Sequence, residues 1–156
     1  MTTGNDDWTR LPKAEFGFPR TDLRRRLVNA VLSGEKTATA GLLADFERDG
    51  DPLPRPGERY AVVDFDDRPV GVIETVEVRV VPMAEVDLQF AIDEGEGFGS
   101  VAEWRTAHER FFSSYIDEIR AGVGDPGWEL GDETMIVCER FRLVSPEPDS
   151  TRAAPA

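Results

Sequence analysis

The sequence predicts a single α+β domain in which a small, strongly curved or barrel-like, mostly antiparallel sheet is flanked by helices. Three observations lead to it. The runs Arg59 to Phe65 and Arg68 to Val81 have strand character and meet at Asp66-Asp67, a turn-forming pair. A third run, Met135 to Val144, alternates with a clear phase. Two segments of helical period, one starting at Thr21 or Asp22 and one at Ser100, lie outside these runs. A chain of 156 residues with 40% hydrophobic content suits one core, because domains of about 100–150 residues are the commonest size.

Taken in chain order, residues 1–15 are polar and without periodicity and read as a mobile N-terminus. The first helix places Leu23, Leu27, Ala30 and Val31 on one face and ends at Gly34. Thr37 to Leu42 then reads as extended, with Lys36 and Thr39 at the junction. A Gly- and Pro-rich loop from Asp49 to Gly57 precedes the hairpin. A short helix around Ala84 to Ile92 leads into Asp93-Glu94-Gly95-Glu96-Gly97-Phe98-Gly99, an acidic loop whose glycines permit unusual backbone angles. Ser100 and Glu103 form a capping box, and Trp104, His108, Phe111, Tyr115 and Ile119 follow on one face of a long helix. The folded unit is residues 16–144, and residues 145–156 are a proline-rich tail expected to be disordered.

Composition narrows the function classes. The first residues do not resemble a signal peptide, and no apolar run reaches the roughly 18 residues that span a bilayer, so a cytoplasmic protein is expected. One cysteine, Cys138, and one histidine, His108, leave no clustered ligands for structural zinc. No metal or cofactor is expected. The formal net charge of -13, from 18 basic and 31 acidic residues, opposes tight binding to a long polyphosphate backbone. The one basic cluster, Arg20 with Arg24-Arg25-Arg26, reads first as a solvated helix face.

Several polar residues break the apolar pattern. Strand alternation puts Glu74 in phase with Val70, Val72, Val76, Val78 and Val80, and Glu139 in phase with Met135, Val137, Phe141 and Leu143. An unpaired buried carboxylate costs several kcal/mol, so two inward glutamates suggest a polar cleft, unless the hairpin twists Glu74 out or loop amides satisfy both. His108 and Trp104 fall on the aromatic helix face, as core residues or as a cleft wall suited to stacking on a flat base. Lys36 and Thr39 converge if the chain bends between them, and a desolvated lysine can take the proton of a threonine hydroxyl. On spacing alone the ordinary reading prevails: a solvated lysine after a helix and threonines suited to a strand.

The combination of Leu32-Ser33-Gly34-Glu35-Lys36-Thr37-Ala38-Thr39, Ile73-Glu74-Thr75, the Glu94-Gly95-Glu96-Gly97 loop, the helix carrying Trp104, His108, Phe111 and Phe112, and Val137-Cys138-Glu139-Arg140-Phe141 resembles the ASCH domain family. The resemblance covers roughly Phe16 to Val144. It implies a PUA-like β-barrel with a cleft beside the helix that precedes the Lys-Thr motif. It also implies either RNA binding, ribonuclease activity, or hydrolysis of the acetyl group of N4-acetylcytidine by a lysine, a threonine and a glutamate. Carried over by motif, these fall on Lys36, on Thr39 and, in the acidic loop, on Glu96, with Glu94 the alternative. Thr37, Glu74, Trp104, His108 and Glu139 are the residues expected to contact substrate. The partner is then a small nucleoside-like molecule or, on the alternative reading, single-stranded RNA. A continuous basic track of Arg20, Arg24, Arg25 and Arg55 would favour RNA, and a closed acidic pocket a nucleoside.

Overall fold

The computed structural model describes residues 8–17 and 21–146. Five strands, β1 (Lys13–Ala14), β2 (Ala38–Leu42), β3 (Arg59–Val63), β4 (Pro69–Pro82) and β5 (Met135–Ser145), form one sheet in the order β1-β3-β4-β5-β2. β1 runs parallel to β3 and every other pair is antiparallel. The helices are α1 (Asp22–Ser33), α2 (Leu43–Asp49), α3 (Leu88–Asp93), α4 (Val101–Ser113) and α5 (Ile116–Val123). The domain is therefore α+β with a mixed sheet. The expected barrel is not closed, because the edge strands β1 and β2 do not pair. With two residues, β1 offers almost no ladder to close against.

Local chemistry sets the boundaries. The Thr21 hydroxyl accepts the Leu23 N–H at 3.3 Å, and Gly34, at φ 86°, ends α1 in the left-handed conformation. Asp64 Oδ1 accepts from the N–H groups of Asp66 and Arg68, each at 2.9 Å, which fixes the turn between β3 and β4. Ser100 caps α4 through the Glu103 N–H at 3.1 Å. The single long helix expected after it is two helices. Tyr115 leaves helical geometry at φ -130° and donates its hydroxyl to Asp45 Oδ2 at 2.6 Å, tying the break to α2. The expected helix around Ala84 to Ile92 is a 3-10 turn, Met83–Glu85, followed by α3, which Asp87 caps through the Phe90 N–H.

Apolar residues form two clusters. In one, Ala38, Leu42, Ile136 and Cys138 of the sheet meet Phe90, Trp104, Phe112 and Ile119 of the helices. In the other, Leu27, Val28 and Val31 of α1 pack with Phe16, Val62, Ile73 and Phe141. Alternation along β5 explains the division, since Ile136 and Cys138 belong to the first cluster and Phe141 to the second. Glu139 has the phase of Phe141, so it lies on the α1 side of the sheet.

Candidate functional site

The end of α1 delivers Lys36 to the interior, where it is 1% exposed. Its Nζ lies 3.3 Å from Glu96 Oε2 and 3.6 Å from Glu94 Oε1, and it donates to the Glu94 carbonyl at 3.2 Å. The acidic loop thus wraps the ammonium from one side. The Thr37 N–H binds the Asp93 carbonyl at 2.8 Å and holds loop and motif together. Gly95 makes this approach possible: at φ 68°, a Cβ there would lie 2.5 Å from the Glu35 carbonyl oxygen and 2.7 Å from Lys36 Cα. Backbone cannot yield as a side chain does. Gly95→Ala should therefore separate the loop from Lys36, seen as a fall of several degrees in Tm and loss of any activity that depends on Lys36. Wild-type behaviour would show that this contact is not needed.

Glu94 is the hub of a buried network. Its Oε2 accepts from the Trp104 indole N–H and faces His108 Nε2 at 3.3 Å, while Oε1 faces Lys36. His108 Nδ1 lies 2.8 Å from the Trp104 carbonyl, and its ring stacks on Trp104 with centroids 4.1 Å apart. Nδ1 therefore carries hydrogen, and a second proton on Nε2 meets a carboxylate. Burial works to raise the Glu94 pKa, but the hydrogen bond to His108 and the charge of Lys36 outweigh it, so the net shift is downward. Burial works to lower the His108 pKa, but the hydrogen bond and charge of Glu94 outweigh it, and the net shift is upward.

Linkage fixes the sign of the resulting pH dependence. The stabilisation linked to His108 is complete below its ordinary value of 6.5 and is lost as pH rises through the higher folded value. That linked to Glu94 is complete above 4.5 and is lost as pH falls through the lower folded value. Their joint contribution is greatest between about pH 4.5 and 6.5. The Tm difference between the wild type and His108→Gln should therefore be largest near pH 6 and shrink towards pH 9. A difference that grows with pH would contradict the assignment.

The network forms one wall of a cavity of about 910 Å³. Lys36, Thr39, Glu94, Glu96, His108 and Glu139 all line it, with an apolar surround that includes Phe16, Tyr60, Ile73, Phe98 and Phe112. Thr39 and Glu139 are direct partners in the β2 and β5 register and share its floor. Glu139 accepts the Thr75 hydroxyl at 2.7 Å through Oε2. Farther along, the Tyr60 hydroxyl donates to Glu58 at 3.1 Å. Among the described residues no cluster of three or more His, Cys, Asp or Glu is placed to hold a metal ion, and no helix is long and apolar enough to cross a membrane.

Three residues expected to contact substrate stand outside this cavity. Glu74 pairs with Arg59 at 3.0 Å and Arg142 at 3.4 Å. The β4 register shifts between Thr75 and Glu77, so Thr75 lies opposite Phe141 while Val78 lies opposite Glu139. This bulge takes Glu74 out of phase with Val78 and Val80, and its neighbour Val76 is 50% exposed. Trp104 is fully buried behind the wall and serves Glu94. Thr37 is spent on Asp93, through both its N–H and a hydroxyl contact at 3.4 Å. Conversely, the sequence reading did not find Thr75, Tyr60 or the central place of Glu94. One signal for Glu94 was present: a buried tryptophan needs an acceptor for its N–H, and the acidic loop was the nearest source.

The described arginines of the expected track are each engaged by an oxygen of the protein. Arg24 is 2% exposed and donates to the Phe16 carbonyl at 3.2 Å. Arg25 pairs with Asp22 at 2.9 Å, and Arg55 with Glu58 at 4.0 Å. Arg20 lies outside the described residues.

Fold and site together define a small α+β domain whose helix-to-strand junction buries a lysine beneath a carboxylate loop. The chain belongs to the ASCH domain family, whose model matches residues 15–145. It is similar to the crystal structure of an ASCH domain from Lactobacillus crispatus JV V101, with 26% identity and a TM-score of 0.72, covering 90% of this chain and 86% of that one. It is also similar to the crystal structure of a protein from Enterococcus faecalis V583, with 28% identity and a TM-score of 0.71, covering 83% and 74%. No curated protein matches the chain.

Proposed function

We propose that this protein hydrolyses an N-acyl bond on a small nucleoside-like molecule, with Thr39 as nucleophile, Lys36 as base and then acid, and Glu96 as the group that holds Lys36. One observation carries the reading: Lys36, withdrawn from water between two carboxylates, lines the same cavity as Thr39. Lys36 first passes a proton to Glu96 across 3.3 Å. Its free amine then removes the Thr39 proton as Oγ bonds to the acyl carbon and gives that proton to the leaving nitrogen as the C–N bond breaks; water then adds to the acyl carbon, passing a proton through Lys36 to Thr39 Oγ as the free acid leaves.

Charge supports a small neutral substrate over RNA. Glu58, Glu94, Glu96 and Glu139 line the cavity, and among the described arginines of the expected track Arg24 is buried while Arg25 and Arg55 pair with carboxylates. A turnover screen against N4-acylcytidines and single-stranded RNA tests the proposal. Release of free acid and amine from an acylcytidine is the expected result. An inert wild type that binds RNA with a steep salt dependence, reduced by Lys36→Ala, would replace the proposal with a binding module.

A further inference from the structure

We propose that Glu139 is a further catalytic residue, the acid that protonates the leaving nitrogen; this rests on the reading above and refines its acid step. Geometry carries the assignment. Thr39 and Glu139 lie directly opposite each other in an antiparallel pair, which sets their Cβ atoms about 4.5–5.5 Å apart on one face. Both side chains line the cavity. An acyl group attacked by Thr39 therefore sits beside the Glu139 carboxyl. Lys36, its Nζ held by three oxygens of the loop residues Glu94 and Glu96, serves the Thr39 hydroxyl. Separate groups then serve the nucleophile and the leaving group.

The surroundings of Glu139 favour the protonated acid that this role needs. No salt bridge reaches it among the described residues, and its one hydrogen bond there, from Thr75, engages Oε2 and leaves Oε1 without a partner among them. Burial raises its pKa most; the Thr75 hydroxyl opposes this, and the charge of Glu58, just before β3, adds to it. The other titratable groups on the cavity walls are Lys13, Glu15, Asp51, Tyr60, Lys36, Glu94, Glu96 and His108. The last four form their own paired network, and Tyr60 is bound to Glu58.

The protons balance over one cycle. In acylation, Thr39 Oγ bonds to the acyl carbon and loses its proton to Lys36, while the C–N bond breaks and nitrogen takes the Glu139 proton. In deacylation, water adds to the acyl carbon and returns a proton to the Glu139 carboxylate. Lys36 returns its proton to Thr39 Oγ as the ester bond breaks, leaving free acid and restored groups.

Leaving-group dependence tests the assignment. N4-acetylcytidine needs its nitrogen protonated, whereas 4-nitrophenyl acetate expels an oxygen anion that needs no proton. With Glu139→Gln, the acylation rate, read as first-turnover release of cytidine or 4-nitrophenolate, should fall by about 10²-fold or more on the amide and change little on the ester, the size expected for a lost general acid. Thr75→Val removes the hydroxyl that favours the carboxylate, so the basic limb of the amide kcat profile should move to higher pH. Equal losses on both substrates, an unchanged amide rate in Glu139→Gln, or an unmoved limb in Thr75→Val would overturn the role. A wild type active on the ester and inert on the amide would overturn the proposed reaction itself.

Discussion

Thr39→Ala is expected to abolish turnover of an acylated nucleoside, lowering kcat by about 10³-fold or more, because removing one member of a coupled nucleophile and base disables the unit. Its fold should survive. Thr39 is half-buried on the edge strand β2 and lines the cavity, so the substitution mostly enlarges a space that is already open. The Tm should stay within a few degrees of wild type, and the KM for substrate should move far less than kcat. Lys36→Ala should cost as much in rate and more in stability, since it leaves two facing carboxylates without their cation. If Thr39→Ala keeps the wild-type rate, a hydrolase remains but Lys36 activates water directly.

Glu94→Ala should have the largest effect on stability. The carboxylate is 1% exposed and supports three groups at once: the Lys36 ammonium, the Trp104 N–H and the His108 ring. Breaking a buried pair by removing one partner costs about 3–5 kcal/mol, which for a domain of this size is a fall in Tm of roughly 10 °C or more. Glu94→Gln should recover part of the loss, because an amide oxygen still accepts from Trp104 but carries no charge for Lys36. A calorimetric Tm for Glu94→Ala within a few degrees of wild type would contradict the buried hub. By contrast, Glu96, whose side chain is 24% exposed, should be replaceable with little change in Tm and a large change in rate.

Much of this was legible in the residues, for reasons that can be named. Thr21 and Gly34 bound α1 because capping is local chemistry, read from two positions. Glu139 was placed correctly because β5 keeps an unbroken alternation from Met135 to Phe141. Glu74 was misplaced for the opposite reason: the bulge in β4 is invisible in a run of valines, and one extra residue reverses which face every later side chain takes. The open sheet was equally hidden, since strand edges depend on which strands meet in space. The two residues of β1, in a polar stretch, carry no strand pattern of their own. Lys36 was found through its motif, and its partners required the fold, because Glu94 and Glu96 lie 58 and 60 positions away.

The most direct measurement on the central claim is intact-mass analysis of the purified protein, quenched in acid within its first turnover of N4-acetylcytidine, followed by peptide mapping. A covalent Thr39 nucleophile predicts a transient gain of one acetyl group on the peptide that contains Thr39, absent from Thr39→Ala. Cytidine release with no acetylated protein at any time, at the same rate in Thr39→Ala, would contradict it.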